Sequence, residues 1–286
     1  MKRLVLDIGG TNTRICLVDE NQSIVFKDRV SFTGDAEAFS KRLKENCFRI
    51  LRSEDTDDFV GLSVAGAYLN RERRLWIPNL FGGTLVSPFD LLAIDNDSLF
   101  VTNDRISGSM GEMFVGAAKG CRDFLYISIG TGVGIGIVSD GHVVNGSNGF
   151  AGSVGWIRFN EERIEDLVGG IGVSSSYEEL TGMRLSAAEI FDLAESGSSE
   201  AAEVIAVTAY YLGKLIACFT NSTNPEVIVL SGSIGSRWKL LEDRAMEVIY
   251  KETSPMITIP EMRLSSLGED AQILGTSILM HHEISI

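Results

Sequence analysis

The stretch that decides the fold is LDIGGTNTRICLVD, residues 6–19. It is a short apolar run closed by an acid, then a glycine turn, a second β-rich run and an acidic turn. The same plan returns in SIGTGVGIGIVSD, residues 128–140. A constant offset pairs Ile8 with Ile129, Gly9 with Gly130, Leu17 with Val138 and Asp19 with Asp140, without a gap. The separation is too long for a solenoid repeat, so the pattern points to two related domains.

Outward from the first copy, residues 3–8, 13–19 and 23–30 read as strands. Residues 35–51 place Phe39, Leu43, Cys47 and Ile50 at helical spacing, and residues 59–64 return to an extended apolar run. Leu99-Phe100-Val101 fits another buried strand, broken at Thr102-Asn103-Asp104 before a small-residue helix through about Ala118. Outward from the second copy, helices are predicted near 164–180, at 186–195 and at 199–220, the last with an apolar stripe of Val204, Val207, Tyr211, Leu215 and Cys218. EVIVLSGSIG, residues 226–235, gives a third buried strand running into a glycine turn, and helices follow at 237–251 and 270–282. The expected class is α/β, with one domain over 1–105 plus about 270–286 and the other over 106–269. The tail helix is expected to pack back on the first domain.

A chain of 286 residues can bury two cores without disulfides or a structural metal. Hydrophobic residues at 44%, charged residues at 22%, and 30 glycines against 5 prolines exclude a disordered or collagenous chain. The net charge of −14 repels phosphate backbones, so nucleic acid is not an expected partner. Cys16, Cys47, Cys121 and Cys218 form no CxxC pair and read as buried free thiols of a reducing compartment. There is no run of about 18 uninterrupted apolar residues and no secretory pattern at Met1 to Asp7, so the expected location is cytoplasmic, with no membrane partner.

The glycine turns carry the chemistry. In Gly9-Gly10-Thr11-Asn12-Thr13, consecutive backbone N–H groups can turn inward as an anion nest, the hydroxyls add donors, and Asp7 can hold a hydrated divalent cation beside phosphates. A plain hairpin turn would account for that loop alone. Gly130-Thr131-Gly132-Val133-Gly134 supplies a second nest. It is not a dinucleotide fingerprint, because a β-rich run follows it, and no Gly-Lys-Ser/Thr makes it a Walker A loop. Two nests in related halves, facing across a cleft, could hold the phosphates of one nucleotide. Gly232 and Ser233, where a strand opens into a helix, could let an adenosine and its α-phosphate approach the backbone, although a strand-to-helix turn has the same residues. Asp104 stands where a strand meets a helix and suits a base that takes the proton of an attacking hydroxyl; its competing explanation is a helix N-cap.

Together DIGGTNTR, VTNDRISGSMGE, IGTGVGIGIV, GFAGSVGW, RIEDLVGG and NPEVIVLSGSIG resemble the ROK family (repressor, open reading frame, kinase) over essentially the whole chain. The resemblance implies two ribonuclease-H-like domains of the actin-like ATPase superfamily, with a nucleotide and sugar cleft between them. It implies an ATP-dependent kinase that phosphorylates a hexose, at O6 by family analogy, or an N-acetylhexosamine such as N-acetylmannosamine or N-acetylglucosamine. Asp104 matches the family's base and Asn103 its sugar-binding neighbour. Asp7 through Thr13 and Gly130 through Gly134 match the phosphate loops, with ATP and Mg2+ as the implied cofactors. Asn79, in Trp76-Ile77-Pro78-Asn79-Leu80, Gly66 in the earlier turn, and Glu165 are carried over as sugar-site residues.

Where most of the family reads Ala-Gly-Glu-hydrophobic-Gly-His, this chain reads Ala151-Gly152-Ser153-Val154-Gly155-Trp156. Ser153 is left to hydrogen-bond a sugar hydroxyl, and Trp156 either stacks on a pyranose face or fills volume. With the histidine and the cysteine cluster missing, structural zinc is not expected. The same departures motivate a second reading, a sugar-binding protein without transfer. With the first glycine motif at Asp7, the repressors' DNA-binding domain is not expected, and a homodimer is implied by family likeness.

Overall fold

The computed structural model describes residues 2–10, 12–32, 34–53, 56–94 and 98–282. The chain divides into two compact units. The first comprises residues 1–115, 145–151 and 269–286; the second comprises 116–144 and 152–268.

In the first unit, β1 (Lys2–Ile8), β2 (Asn12–Val18) and β3 (Ile24–Ser31) form an antiparallel meander. Helix α1 (Ala36–Ser53) leads to β4 (Thr56–Val64), which lies parallel to β1. A small sheet of β5 (Ala67–Leu69), β6 (Arg74–Trp76) and β7 (Leu85–Val86) follows, with short helices α2 (Pro78–Phe81) and α3 (Pro88–Leu92) around it. Strand β8 (Leu99–Asn103) then joins β4 in parallel and runs directly into α4 (Asp104–Val115). The main sheet order is β3-β2-β1-β4-β8. On one face Leu4, Leu6 and Ile8 meet Phe39, Leu43, Cys47 and Ile50 of α1, so the periodic apolar positions of that helix are the buried ones.

The second unit repeats the arrangement. Here β9 (Phe124–Ile129), β10 (Val133–Ser139) and β11 (His142–Val143) form the meander, while β14 (Val227–Ser231) and β15 (Glu261–Leu264) add in parallel. The order β11-β10-β9-β14-β15 matches that of the first unit strand for strand. Between them lie the hairpin β12 (Arg158–Phe159) and β13 (Glu162–Arg163) and helices α5 (Ile164–Val168), α6 (Gly170–Thr181), α7 (Ala187–Glu195), α8 (Ser199–Thr223), α9 (Gly232–Gly235) and α10 (Trp238–Glu252).

Several expectations are corrected. The single helix over 164–180 is two, broken at Gly169, and the third glycine turn is instead the helical turn α9. On α8, Val207 is 46% exposed and Cys218 is exposed, whereas Ala201, Val204, Ile205, Thr208, Ala209, Leu212, Leu215 and Ile216 are buried. The stripe is rotated and widened because α5, α6, α7 and α10 all pack on this helix. That packing also accounts for the apolarity of α8, which has the length and mean hydropathy of a membrane span yet contributes to the core of the second unit. Cys121 is half-buried, so only Cys16 and Cys47 are buried thiols.

The last helix, α11 (Ala271–His282), packs on α4, β1 and β4. Close approach here depends on missing side chains. A Cβ on Gly275 would lie 1.7 Å from the Ser107 carbonyl oxygen, and one on Gly111 would lie 2.3 Å from that of Ala271. The α4–α11 contact also explains why the first unit extends to Val115 rather than ending near 105. The opposing atoms are backbone, which cannot swing away. Gly275→Ala is therefore expected to lower stability by roughly 1–3 kcal/mol, read as the urea midpoint at constant m.

Candidate functional site

In the first unit, parallel register sets the site. Asp7, Ser63 and Thr102 are level across β1, β4 and β8, and one residue further on Ile8, Val64 and Asn103 are level. The turn after β1 is closed by the Gly9 N–H donating to the Asn12 carbonyl at 3.0 Å. Gly10 faces Asn79 of α2, whose Nδ2 would lie 3.4 Å from a Cβ placed there. The Asn12 side-chain carbonyl accepts from the Ser31 hydroxyl at 2.7 Å, and the buried Thr13 hydroxyl has no partner among the described residues. Thr11 lies outside the described residues.

Asp7 is nearly buried, and its Oδ2 accepts a 2.7 Å hydrogen bond from Arg14. The same guanidinium donates to the Glu269 carbonyl and, at 3.3 Å, to Gln272, which ties the start of α11 to the first loop. The sequence reading gave Arg14 no role. Its signal was the alternation of β2, which puts Arg14 opposite Asp7 in the antiparallel pair.

The junction of β8 and α4 settles what Asp104 does locally. The N-cap is Asn103: its Oδ1 accepts from the Ile106 N–H at 3.0 Å, and its Nδ2 donates to the Gly149 carbonyl at 3.4 Å. Asp104 is thereby freed from capping. Its Oδ1 is buried with no hydrogen-bond partner among the described residues, and the Arg105 guanidinium stands 3.6 Å away, beyond hydrogen-bond reach. Desolvation pushes the carboxyl up to about 6, Arg105 opposes the shift, and the negative charge of Asp7 adds to it. Arg105 itself is buried and donates to the carbonyls of Gly149 and Ala151, which pins the segment 145–151.

A buried carboxyl that feels a second carboxylate suits a cation. Asp7, whose Oδ2 is on Arg14, is the residue that would hold a hydrated Mg2+ there.

Gly66 approaches β6 so closely that a Cβ would meet the Trp76 carbonyl oxygen at 2.1 Å. Its smallness is explained by that contact.

In the second unit, the Gly130 N–H closes the loop onto the Gly132 carbonyl at 3.0 Å. Thr131 is exposed, and Gly134 pairs with Ser128 in the hairpin. Gly232, at φ +83°, packs against the Ile129 carbonyl, and the Ser233 hydroxyl would lie 4.0 Å from a Cβ on Gly130, so α9 and the loop are neighbours. The break between α5 and α6 adds a contact that the sequence reading passed over. Gly170 N–H donates to the Gly130 carbonyl at 2.7 Å, and a Cβ on Gly169 would meet Thr131 and Gly132 backbone. Glu165, on the first turn of α5, places its carboxylate against Gly132 and Gly155, where Cβ atoms would lie 2.3 and 2.8 Å from its Oε2. Ser153 is half-buried and leads a 3-10 turn over Val154–Trp156 without capping it. Trp156 is 60% exposed, with the Arg163 guanidinium 5.4 Å from its ring.

Comparison with known proteins follows the same outline. The glucokinase of Halalkalibacterium halodurans is 29% identical over 317 residues, covering 97% of this chain and 94% of its own. The xylose repressor of Bacillus subtilis is 26% identical over 234 residues, covering 78% of this chain and 61% of its own. A crystal structure of a ROK family glucokinase from Streptomyces griseus, in complex with glucose and AMPPNP, has a TM-score of 0.84 at 20% identity, covering 98% of this chain and 99% of that one. That likeness shows the fold, the actin-like ATPase fold of the ROK sugar kinases. The family model for the ROK family matches residues 3–283, and the chain belongs to the ROK family.

Proposed function

We propose that the chain is an ATP-dependent kinase that transfers the γ-phosphoryl group to a hexose hydroxyl, O6 in the first instance. The observation that carries this is the Asp104 carboxylate: relieved of capping by Asn103, without a hydrogen bond at Oδ1 among the described residues, and raised toward neutrality beside Asp7. A general base works best with a pKa near the operating pH, which is where this environment puts it. The two glycine loops, one in each unit, supply backbone N–H groups for the phosphates, and Gly232 and Ser233 serve the adenosine side. Gly66, Asn79, Asn103, Ser153 and Glu165 orient the sugar.

In the transfer step Asp104 accepts the hydroxyl proton as the sugar oxygen bonds to the γ-phosphorus. The bond from that phosphorus to the β,γ-bridging oxygen breaks, and ADP carries away the electron pair. Mg2+ held through Asp7 would neutralise charge on the phosphates. Expected conditions are a reducing cytoplasm, with a homodimer as the assembly.

The likeness to a sugar-responsive repressor, with Ser153 and Trp156 in place, favours sugar binding without transfer as the second reading. A panel of glucose, mannose, N-acetylglucosamine and N-acetylmannosamine with Mg-ATP separates them, with phosphorus NMR identifying the product. Calorimetric sugar binding with no phosphorylated product from any sugar would overturn the kinase reading.

Asp104→Ala is expected to lower kcat by about 100- to 10,000-fold with ATP affinity within about threefold; undiminished turnover would remove Asp104 from the mechanism. For the wild type, kcat/KM should climb about tenfold per pH unit below about 6 and level off above it. The stability effect has the opposite sign. The folded carboxyl holds its proton more tightly than its ordinary value of 3.8, so ionisation disfavours the fold progressively from about pH 4 to 6. Asp104→Asn is therefore expected to melt above the wild type at pH 8, with the difference closing below about pH 4 in calorimetric scans.

A further inference from the structure

Glu165 is half-buried on the first turn of α5, and its carboxylate lies in a slot between two glycines. A Cβ on Gly132 would collide with its Oε2, and one on Gly155 would lie 2.8 Å from the same oxygen. Neither glycine has a positive φ, so a left-handed backbone does not account for them; the carboxylate needs the room. The Gly170 N–H donates to the Gly130 carbonyl at 2.7 Å, and the Gly169 N–H donates to the Glu165 carbonyl at 2.9 Å. The loop 130–134, the α5–α6 break and Glu165 are thereby joined by backbone hydrogen bonds, entirely within the second unit.

Among the described residues the Glu165 carboxylate accepts no hydrogen bond and makes no ion pair. Arg163 feels its charge, but that guanidinium is bidentate to Asp166, at 2.8 and 3.0 Å. The kinase reading gives the loop 130–134 to the phosphates of a nucleotide. A carboxylate resting on Gly132 sets a like charge against any phosphate taken up there, and no cation in contact cancels it. The same carboxylate has its acceptor sites open to sugar hydroxyls. It cannot lie against the loop and follow a sugar at once.

We propose that Glu165 couples the two ligands by where its charge stands. Without sugar the carboxylate lies against Gly132 and opposes phosphates on the loop; when sugar hydroxyls donate to it, it leaves the Gly132 side and the loop takes the phosphates. The proposal rests on the kinase reading for the identity of both ligands and adds a preferred order, sugar before nucleotide. Coupling between two bound ligands is reciprocal, so the nucleotide raises sugar affinity by the same factor. The outcome is a site that holds ATP weakly until an acceptor is present.

The test is calorimetric titration of the wild type and Glu165→Gln with Mg-AMPPNP and with AMP, each alone and with saturating glucose or N-acetylmannosamine. Glutamine keeps the shape and removes the charge. In the wild type, at least one of the sugars is expected to lower the Kd for Mg-AMPPNP by roughly three- to tenfold. Glu165→Gln should bind Mg-AMPPNP that much more tightly with no sugar present, and sugar should then add less than about twofold. AMP, which leaves the loop 130–134 empty under the same reading, serves as the reference for a correctly folded site, and its Kd should be alike in the two proteins. An unchanged Kd for Mg-AMPPNP in Glu165→Gln would overturn the proposal, as would equal sugar coupling in both proteins. Tightening of AMP and Mg-AMPPNP by the same factor would also overturn it, because the effect would then not lie at the loop. The expected binding shifts without any phosphorylated sugar support the coupling and overturn the kinase reading. Phosphorylated sugar without the shifts overturns the coupling and leaves the kinase reading intact. No binding of Mg-AMPPNP under any condition overturns both.

Discussion

Register across three parallel strands is the constraint on which the first unit's chemistry rests. With Asp7, Ser63 and Thr102 level on β1, β4 and β8, every strand stops at one edge, and the polar groups collect where the apolar bodies end. A slip of one residue would turn Asp7 to the opposite face of the sheet and bring Ile8 to the face that Asp7 now occupies. Leu4, Leu6 and Ile8 pack with α1, so such a slip would also break that packing. Arg14 then satisfies the acid from the neighbouring antiparallel strand and extends the hold to α11.

The second unit keeps the sheet order and changes the chemistry. Its central strands end in Ile129-Gly130 and in Ser231-Gly232, where the first unit has Asp7 and Asn103-Asp104 nearby. Without acids the turn can lie close to other backbone, and the Gly169-Gly170 break fills that space while donating to the Gly130 carbonyl. Carboxylate chemistry is concentrated in the first unit. The second provides a neutral glycine loop with Glu165 against it.

The repeat was legible because strand, glycine turn and strand leave a local signature of alternation and small residues, and both copies fall at the predicted places. The α1 stripe was legible for the same reason. The face of α8 was not, because a helix contacted by four others buries more than one stripe, and periodicity reports a single preferred face. Nor was the role of Gly169-Gly170, whose use depends on a loop some forty residues earlier in the chain. The sheet of β5, β6 and β7 was missed for want of length: strands of two or three residues carry too little alternation to read.

Adjacent residues Asn103 and Asp104 show how one local choice sets the chemistry. Both side chains make good N-caps, and a helix start takes only one. With the carboxamide at the cap, the Ile106 N–H is satisfied by a neutral oxygen, and the carboxylate is displaced onto the first turn, where desolvation outweighs the nearby guanidinium. The exchanged order, Asp before Asn, would put the carboxylate on that N–H. That hydrogen bond favours the charged form and would draw its pKa down, leaving a weaker base. Asn103 therefore contributes to basicity at Asp104 by taking the Ile106 N–H itself.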